Sequence, residues 1–273
     1  MAAAAVYALG GLAVHAVEDN DWLVLVVGLT GAAAAVLVYA RVVHRTEHAP
    51  ALDVAREGAG ARAAGGVAIG AGMFTAVMVN LFASGHYTVH GTGSVQAAIG
   101  LVGFMAAAAA TEEVLYRGVL FRIVEEHIGT YLALLLSGVV FGLSHLLNEH
   151  ATVWGAAAIA VEAGFMLAAA YAATRSLWLT IGVHFGWNVA AAGVFSTEVS
   201  GNGAQEGLLD ATLSGPKLLT GGTFGPEGSV YSVGFGVLLT FVFLWLAHRR
   251  GTIVHRRPRR AAGGVNSPAT LPR

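Results

Sequence analysis

The chain has 273 residues, of which 56% are hydrophobic and only 11% charged, with a formal net charge of −1. Soluble domains carry about 25% charged residues, so this composition, with a mean hydropathy of +0.67, describes an integral membrane protein. The chain has no cysteine, which excludes disulfides and thiol or cysteine–metal chemistry, and its near-neutral charge leaves no basic footprint for nucleic acid.

The N-terminus opens on Met1 to Ala5 with no Lys or Arg before Arg41. A secretory signal needs a positive n-region, so residues 2–17 read as a short first span. Glu18 to Asp21 is an acidic loop, and Trp22 to Val43 is a second span with Trp22 at an interface. Arg41 to Arg62 is polar and mixed in charge, which predicts an exposed loop or interfacial helix. Ala64 to Ala83 is a third span, and Ser84 to Ser94, with His86 and His90, reads as a loop. A fourth helix starts near Val95 and runs to about Ile123. Tyr131 to Leu147, Val153 to Thr174 and Leu177 to Phe195 are the fifth, sixth and seventh spans. Thr197 to Ser229 is a glycine-rich polar loop, and Val230 to Ala247 is the eighth span. The expected fold is thus all-α and polytopic, one transmembrane domain over 1–247, followed by a basic, disordered tail over 248–273. The 37 glycines suit close helix packing in lipid, and equally reflect a biased genome.

Basic residues set the orientation. Arg249, Arg250, Arg256, Arg257, Arg259 and Arg260 lie in the tail, and Arg41, Arg45, Arg56 and Arg62 lie at or in the loop after the second span. With eight spans these regions share a side with Arg122 and Arg175, while Lys217 is the one basic residue in the loops of the other side. Both termini are expected to be cytoplasmic. The Ala-, Gly- and Arg-rich usage points to a prokaryotic cytoplasmic membrane.

The polar residues inside the spans form a short inventory: Glu112, Glu113, Glu162, His145, His184, Asn80 and Asn188, with Arg117. Ionisable groups in a bilayer cost roughly 2.5–3.5 kcal/mol on insertion scales, and are normally paired or functional. Glu113 and Arg117 are four apart on one helix, close enough to pair. Glu112 lies about 100° away around the helix and is left over. Glu112 and His145 are nearly equidistant from the turn near residue 128, so two antiparallel helices bring them to similar depth. His184 and Asn188 share one helix face, roughly 10 and 16 Å in at 1.5 Å per residue. These four groups can converge in the cytoplasmic half or near the midplane, and such a set can activate water. Glu162 reads as a packing or site-lining residue. His86, His90, Asn148 and His150 read as solvated loop residues.

Glu112-Glu113-x-x-x-Arg117, closed by Gly118, resembles the first motif of the CPBP intramembrane proteases, also called the CAAX-protease or Abi family. Phe141-x-x-x-His145 resembles their second motif, and His184-x-x-x-Asn188 their third. The resemblance covers about residues 95–195. It implies an eight-helix-type α fold and peptide-bond hydrolysis within the membrane, on a membrane-anchored peptide or lipoprotein that is prenylated in the eukaryotic members. In that reading Glu112 and His145 hold a water that Glu112 deprotonates, His184 and Asn188 stabilise the oxyanion, and Glu113 with Arg117 fixes the helix. A second version places a divalent metal, zinc, at Glu112, His145 and His184, since a His₂Glu set with an open position is a catalytic zinc arrangement. H-E-x-x-H, the more specific zinc signature, is absent. A proton-coupled transporter or a non-catalytic scaffold is the alternative. It finds no inverted repeat and no matched pair of broken helices.

Overall fold

The computed structural model describes residues 16–17, 19–203 and 205–256. Among them are seven helices long and apolar enough to cross a membrane: α1 (Asp21–Glu47), α2 (Ala59–Ala83), α3 (Val95–Ile128), α4 (Thr130–Leu147), α5 (Val153–Thr174), α6 (Leu177–Val194) and α7 (Val230–Arg250). The protein is an all-α polytopic membrane protein. The first of the eight expected spans, 2–17, falls largely outside the described residues.

Four of these helices open on a polar side chain placed just before an apolar run. Asn20 accepts from Leu23 N at 3.1 Å, Ser94 from Ala97 N at 3.1 Å, Thr152 from Gly155 N at 2.8 Å and Ser229 from Tyr231 N at 3.1 Å. Each cap satisfies an amide that the first helical turn leaves unpaired. Gly129, at φ 84°, breaks α3 from α4 and lets the chain reverse where a side chain would be strained.

The helices pack backbone to backbone through small residues, as expected where lipid supplies no hydrophobic drive between helices. α1 meets α3 at Gly28 and Gly103, where a Cβ on Gly28 would fall 2.1 Å from the Gly103 carbonyl oxygen. α2 meets α6 at Gly66 and Gly70, and a Cβ on Gly70 would fall 1.9 Å from the Val183 carbonyl oxygen. α4 meets α5 at Gly138 and Gly164, and α7 approaches α5 at Gly236, whose Cβ would fall 2.3 Å from Glu162 Cα. The glycines therefore serve packing, whatever the genome contributes. α5 and α6 are the most enclosed helices, while α1 and α7 turn most of their surface to lipid.

The helix ends carrying arginine meet on one face. Arg122 pairs with Glu47 and Arg175 with Glu125, and Arg250 Nη1 donates to the Ala173 carbonyl at 3.1 Å. α7 runs past Ala247 to Arg250. The segment after it lies against the start of α4, where Thr130 N donates to Val254 O at 2.9 Å and Val254 N to Thr130 Oγ1 at 2.8 Å.

Two loop expectations change. Tyr87–Thr92 is a strand, β1, paired antiparallel with β2 (Leu209–Leu213), with Tyr87 opposite Leu213 and a bulge between Val89 and Gly91. The β-favouring Tyr, Thr and Val of β1 explain this. His90 is exposed, as expected, and bonds Thr212 Oγ1 at 2.9 Å across the pair. The polar stretch Arg41 to Arg62 is likewise not wholly exposed. Its turn Leu52–Val54 sends Asp53 inward to 7% exposure, where Asp53 Oδ2 accepts from Tyr39 at 2.5 Å and from Tyr171 at 3.1 Å. Asp53 belongs to the stretch predicted as a loop, and its two tyrosine donors come from α1 and α5.

Gly70→Ala is expected to lower thermal stability in detergent by about 1–3 kcal/mol, the usual cost of overpacking. Gly72→Ala, where a Cβ meets nothing within 4 Å, is expected to leave it unchanged. Equal melting temperatures for the two variants would contradict the backbone contact between α2 and α6.

Candidate active site

The site is built where α3, α4, α5 and α6 meet. Regular α-helix in α3 ends at Glu113, and a π-helical stretch, Val114–Phe121, takes over. α5 widens in the same way at Ala160–Phe165, and α6 at Val189–Val194, directly after Asn188. Such wider turns recur at functional sites because they re-aim side chains and release carbonyls from the i→i−4 ladder.

Glu113 and Arg117 form the ion pair that their spacing predicts, Nη1 to Oε1 at 2.7 Å, with the two residues 0% and 1% exposed. Arg117 Nη2 then donates to the carbonyls of Ala163 at 3.0 Å and Gly164 at 3.2 Å, inside the widened stretch of α5. The guanidinium carbon lies 4.6 Å from the centre of the Phe141 ring, a cation–π contact that adds to the pairing.

Glu113 has a second partner, which spacing alone does not reveal. Its Oε1 accepts from His184 Nδ1 at 3.0 Å. The other nitrogen, His184 Nε2, faces Glu112 Oε2 at 3.9 Å. The two consecutive glutamates thus flank one imidazole from opposite sides. A separation of 3.9 Å is too long for a direct hydrogen bond and short enough for both groups to hold one water. Glu112 Oε2 has no protein partner, so it is available for that water.

Phe141 organises the remaining groups. Its ring packs against His145 (centroids 4.7 Å apart), His184 (6.3 Å) and Tyr116 (4.9 Å), and it is 1% exposed. His145 sits in the turn His145–Leu147 that ends α4, with Nδ1 2.7 Å from the Phe141 carbonyl. A carbonyl only accepts, so Nδ1 carries the proton and Nε2 presents its lone pair. Among the described residues no ion pair or hydrogen bond joins His145 to Glu112. The imidazole facing Glu112 is that of His184.

Asn188, 5% exposed, lines a cavity of about 10 Å³ together with His184, Trp187, Glu162, Ser200 and Glu227. That is about the room one water needs. Glu162 is therefore site-lining, 1% exposed, with Oε1 unpartnered. Ser200 and Glu227 come from the glycine-rich segment on the face opposite the paired arginines, and spacing reasoning does not find them. The available signal is Pro226-Glu227-Gly228, an acid between two turn-formers at the mouth of the last span.

Among the described residues no group of three His, Cys, Asp or Glu side chains stands close enough together to hold a metal ion. His184 and His145 each engage a protein acceptor through Nδ1, Glu113 and the Phe141 carbonyl respectively, which is also how an outer acceptor orients a ligating imidazole.

Residues 94–190 match the family model described as Rce1-like, Type II CAAX prenyl endopeptidase Rce1-like. The match falls on the motif-bearing region, about a third of the chain. The matched stretch runs from the cap of α3 to just past Asn188, and so contains all three motifs and the helices that present them. The likeness supports a CAAX-type intramembrane endopeptidase in broad terms. No curated protein and no solved structure shows significant similarity to the chain.

Arg117→Ala leaves Glu113 buried against a single imidazole. Breaking a buried pair by removing one partner typically costs about 3–5 kcal/mol, so reduced yield of folded protein and a lower melting temperature are expected. A purified Arg117→Ala protein with parental melting would refute the structural weight given to this pair.

Proposed function

We propose that the Rce1-like site hydrolyses a peptide bond in a membrane-anchored substrate by metal-free water activation. The observation that carries this reading is the pair of glutamates on one imidazole, with Glu112 Oε2 unpartnered 3.9 Å from His184 Nε2. A water there donates one hydrogen to Glu112 and the other to His184 Nε2, which leaves an oxygen lone pair free to attack the scissile carbonyl. Glu112 takes the proton as general base and returns it to the departing amine. Glu113 accepts from His184 Nδ1, so the ring keeps the tautomer that offers Nε2. The Asn188 amide, one helical turn along the same face, donates to the developing oxyanion. His145, packed on Phe141 with Nε2 free, is the second imidazole able to carry a proton near the leaving group.

The setting supports a membrane-anchored substrate. The catalytic groups lie on helices whose outer faces are apolar, and Leu132, Leu135, Leu136 and Leu143 of α4 all point outward. A peptide tethered to lipid, prenylated or otherwise anchored, is held at the depth of the site. Purified protein is expected to cleave such a peptide. Glu112→Gln is expected to abolish cleavage with folding intact, because the amide keeps the shape and cannot take the proton. Asn188→Ala is expected to slow turnover by roughly 10²–10³, the cost of one oxyanion donor. Activity is expected to survive stringent chelation. Stoichiometric zinc that is required for turnover would overturn the metal-free form, and cleavage by Glu112→Gln would remove the base.

The protein is proposed to lie in a prokaryotic cytoplasmic membrane with both termini cytoplasmic. The support is the gathering of Arg122, Arg175 and Arg250 on one face, away from Lys217 and the β1–β2 sheet. Reporter fusions at residues 19–21 and within Gly201 to Gly225 are expected to report the outer side. A cytoplasmic signal from Gly201 to Gly225 would reverse the assignment.

A further inference from the structure

The segment between α6 and α7 reads in sequence as a polar loop, yet it delivers a carboxyl group to the wall of the catalytic cavity. Glu227 is 2% exposed and sits in the turn Pro226–Gly228, between Gly225, held at φ 92°, and the cap of α7. Both of its oxygens are occupied from separate parts of the fold. Oε1 accepts from Trp187 Nε1 at 2.9 Å. Oε2 accepts from Ser200 Oγ at 3.0 Å and from the Ser200 backbone amide. No positively charged side chain is paired with it among the described residues. Burial pushes the Glu227 carboxyl above its usual range, while the Trp187 and Ser200 hydrogen bonds and nearby His145 pull the other way.

Trp187 lies between His184 and Asn188 in the chain and, like both, lines the cavity that Glu227 also lines. Its ring is braced on the other side by Phe74 of α2, edge-on with centroids 4.9 Å apart. One end of the indole is thus fixed by packing and the other by a carboxyl oxygen, which removes rotational freedom from the helix face that carries the two catalytic side chains. A carboxylate suits this place. It presents acceptors on both oxygens, whereas a glutamine presents an acceptor on one side and a donor on the other. The donor would then face either the indole N–H or the Ser200 pair.

We propose that Glu227 is a positioning residue of the catalytic site, which fixes the His184–Asn188 face of α6 by holding Trp187 from one oxygen and Ser200 from the other. The proposal rests on the peptidase reading for its kinetic consequence, and on geometry alone for the clamp itself. Misplacement of reacting groups by about 1 Å costs roughly 10²-fold in rate, and substrate binding elsewhere on the site is untouched.

The test uses full-length protein in detergent or liposomes with an anchored peptide substrate. Glu227→Gln and Trp187→Phe are each expected to lower kcat by up to roughly 10²-fold, with KM within about twofold of the parent. The double variant is expected to be no slower than the slower single, because both changes cut one link. The indole N–H resonance of Trp187, assigned by its loss in Trp187→Phe, is expected to move in Glu227→Gln. Folded Glu227→Gln with parental kcat overturns the proposal, and so do losses that multiply in the double variant. Should Glu227→Gln fail to fold, Trp187→Phe decides alone, and a parental kcat there overturns it. A parent that cleaves no peptide counts against the peptidase reading instead. The Trp187 resonance then still decides the clamp, which an unmoved signal in Glu227→Gln overturns.

Discussion

A single carboxylate oxygen, Glu113 Oε1, accepts from Arg117 at 2.7 Å and from His184 at 3.0 Å, and the site depends on that shared acceptor. In low dielectric a guanidinium is tolerated only when its charge and its N–H groups are satisfied. Glu113 meets the charge, the Ala163 and Gly164 carbonyls meet Nη2, and Phe141 covers the face. Through these contacts one buried cation binds α3, α4, α5 and α6 to a common point. The same carboxylate fixes which nitrogen of His184 carries a proton, and so which one is offered to Glu112.

The widened helical stretches are part of this economy of partners. In a bilayer an α-helix satisfies its own carbonyls and has none to spare. The π-helical turn of α5 presents the Ala163 and Gly164 carbonyls at the level of Arg117, and Arg117 Nη2 donates to both. Around the site stand four carboxyl groups, Glu112, Glu113, Glu162 and Glu227, with Arg117 as the guanidinium among them.

Much of this was legible in the sequence, because membrane spans make polar residues conspicuous. Glu112, Glu113, Arg117, His145, His184 and Asn188 stood out as groups that lipid does not tolerate without a reason. The i,i+4 rule predicted the Glu113–Arg117 contact, and runs of apolar residues placed the helices. What spacing does not carry is which partner each group chooses across helices. Depth predicts Glu112 level with His145, and the imidazole that stands 3.9 Å from Glu112 Oε2 is that of His184, from a third helix. Glu227 and Asp53 escaped for a different reason. Both lie in polar segments where solvent is the default partner, and both are drawn inward by indole or phenol donors from helices distant in the chain. The β1–β2 pair was hidden in the same way, since each strand is too short to declare itself without the other.

The Asp53 clasp ties together parts of the chain that are far apart in sequence. Tyr39 stands on α1 and Tyr171 on α5, 118 residues beyond Asp53. One buried carboxylate oxygen accepts from both phenols, and the Tyr39 hydroxyl also reaches the Gly118 carbonyl of α3. The connection between α1 and α2 is therefore a joint held by two helices rather than a free linker, and a change in either phenol is felt at the other through the shared oxygen.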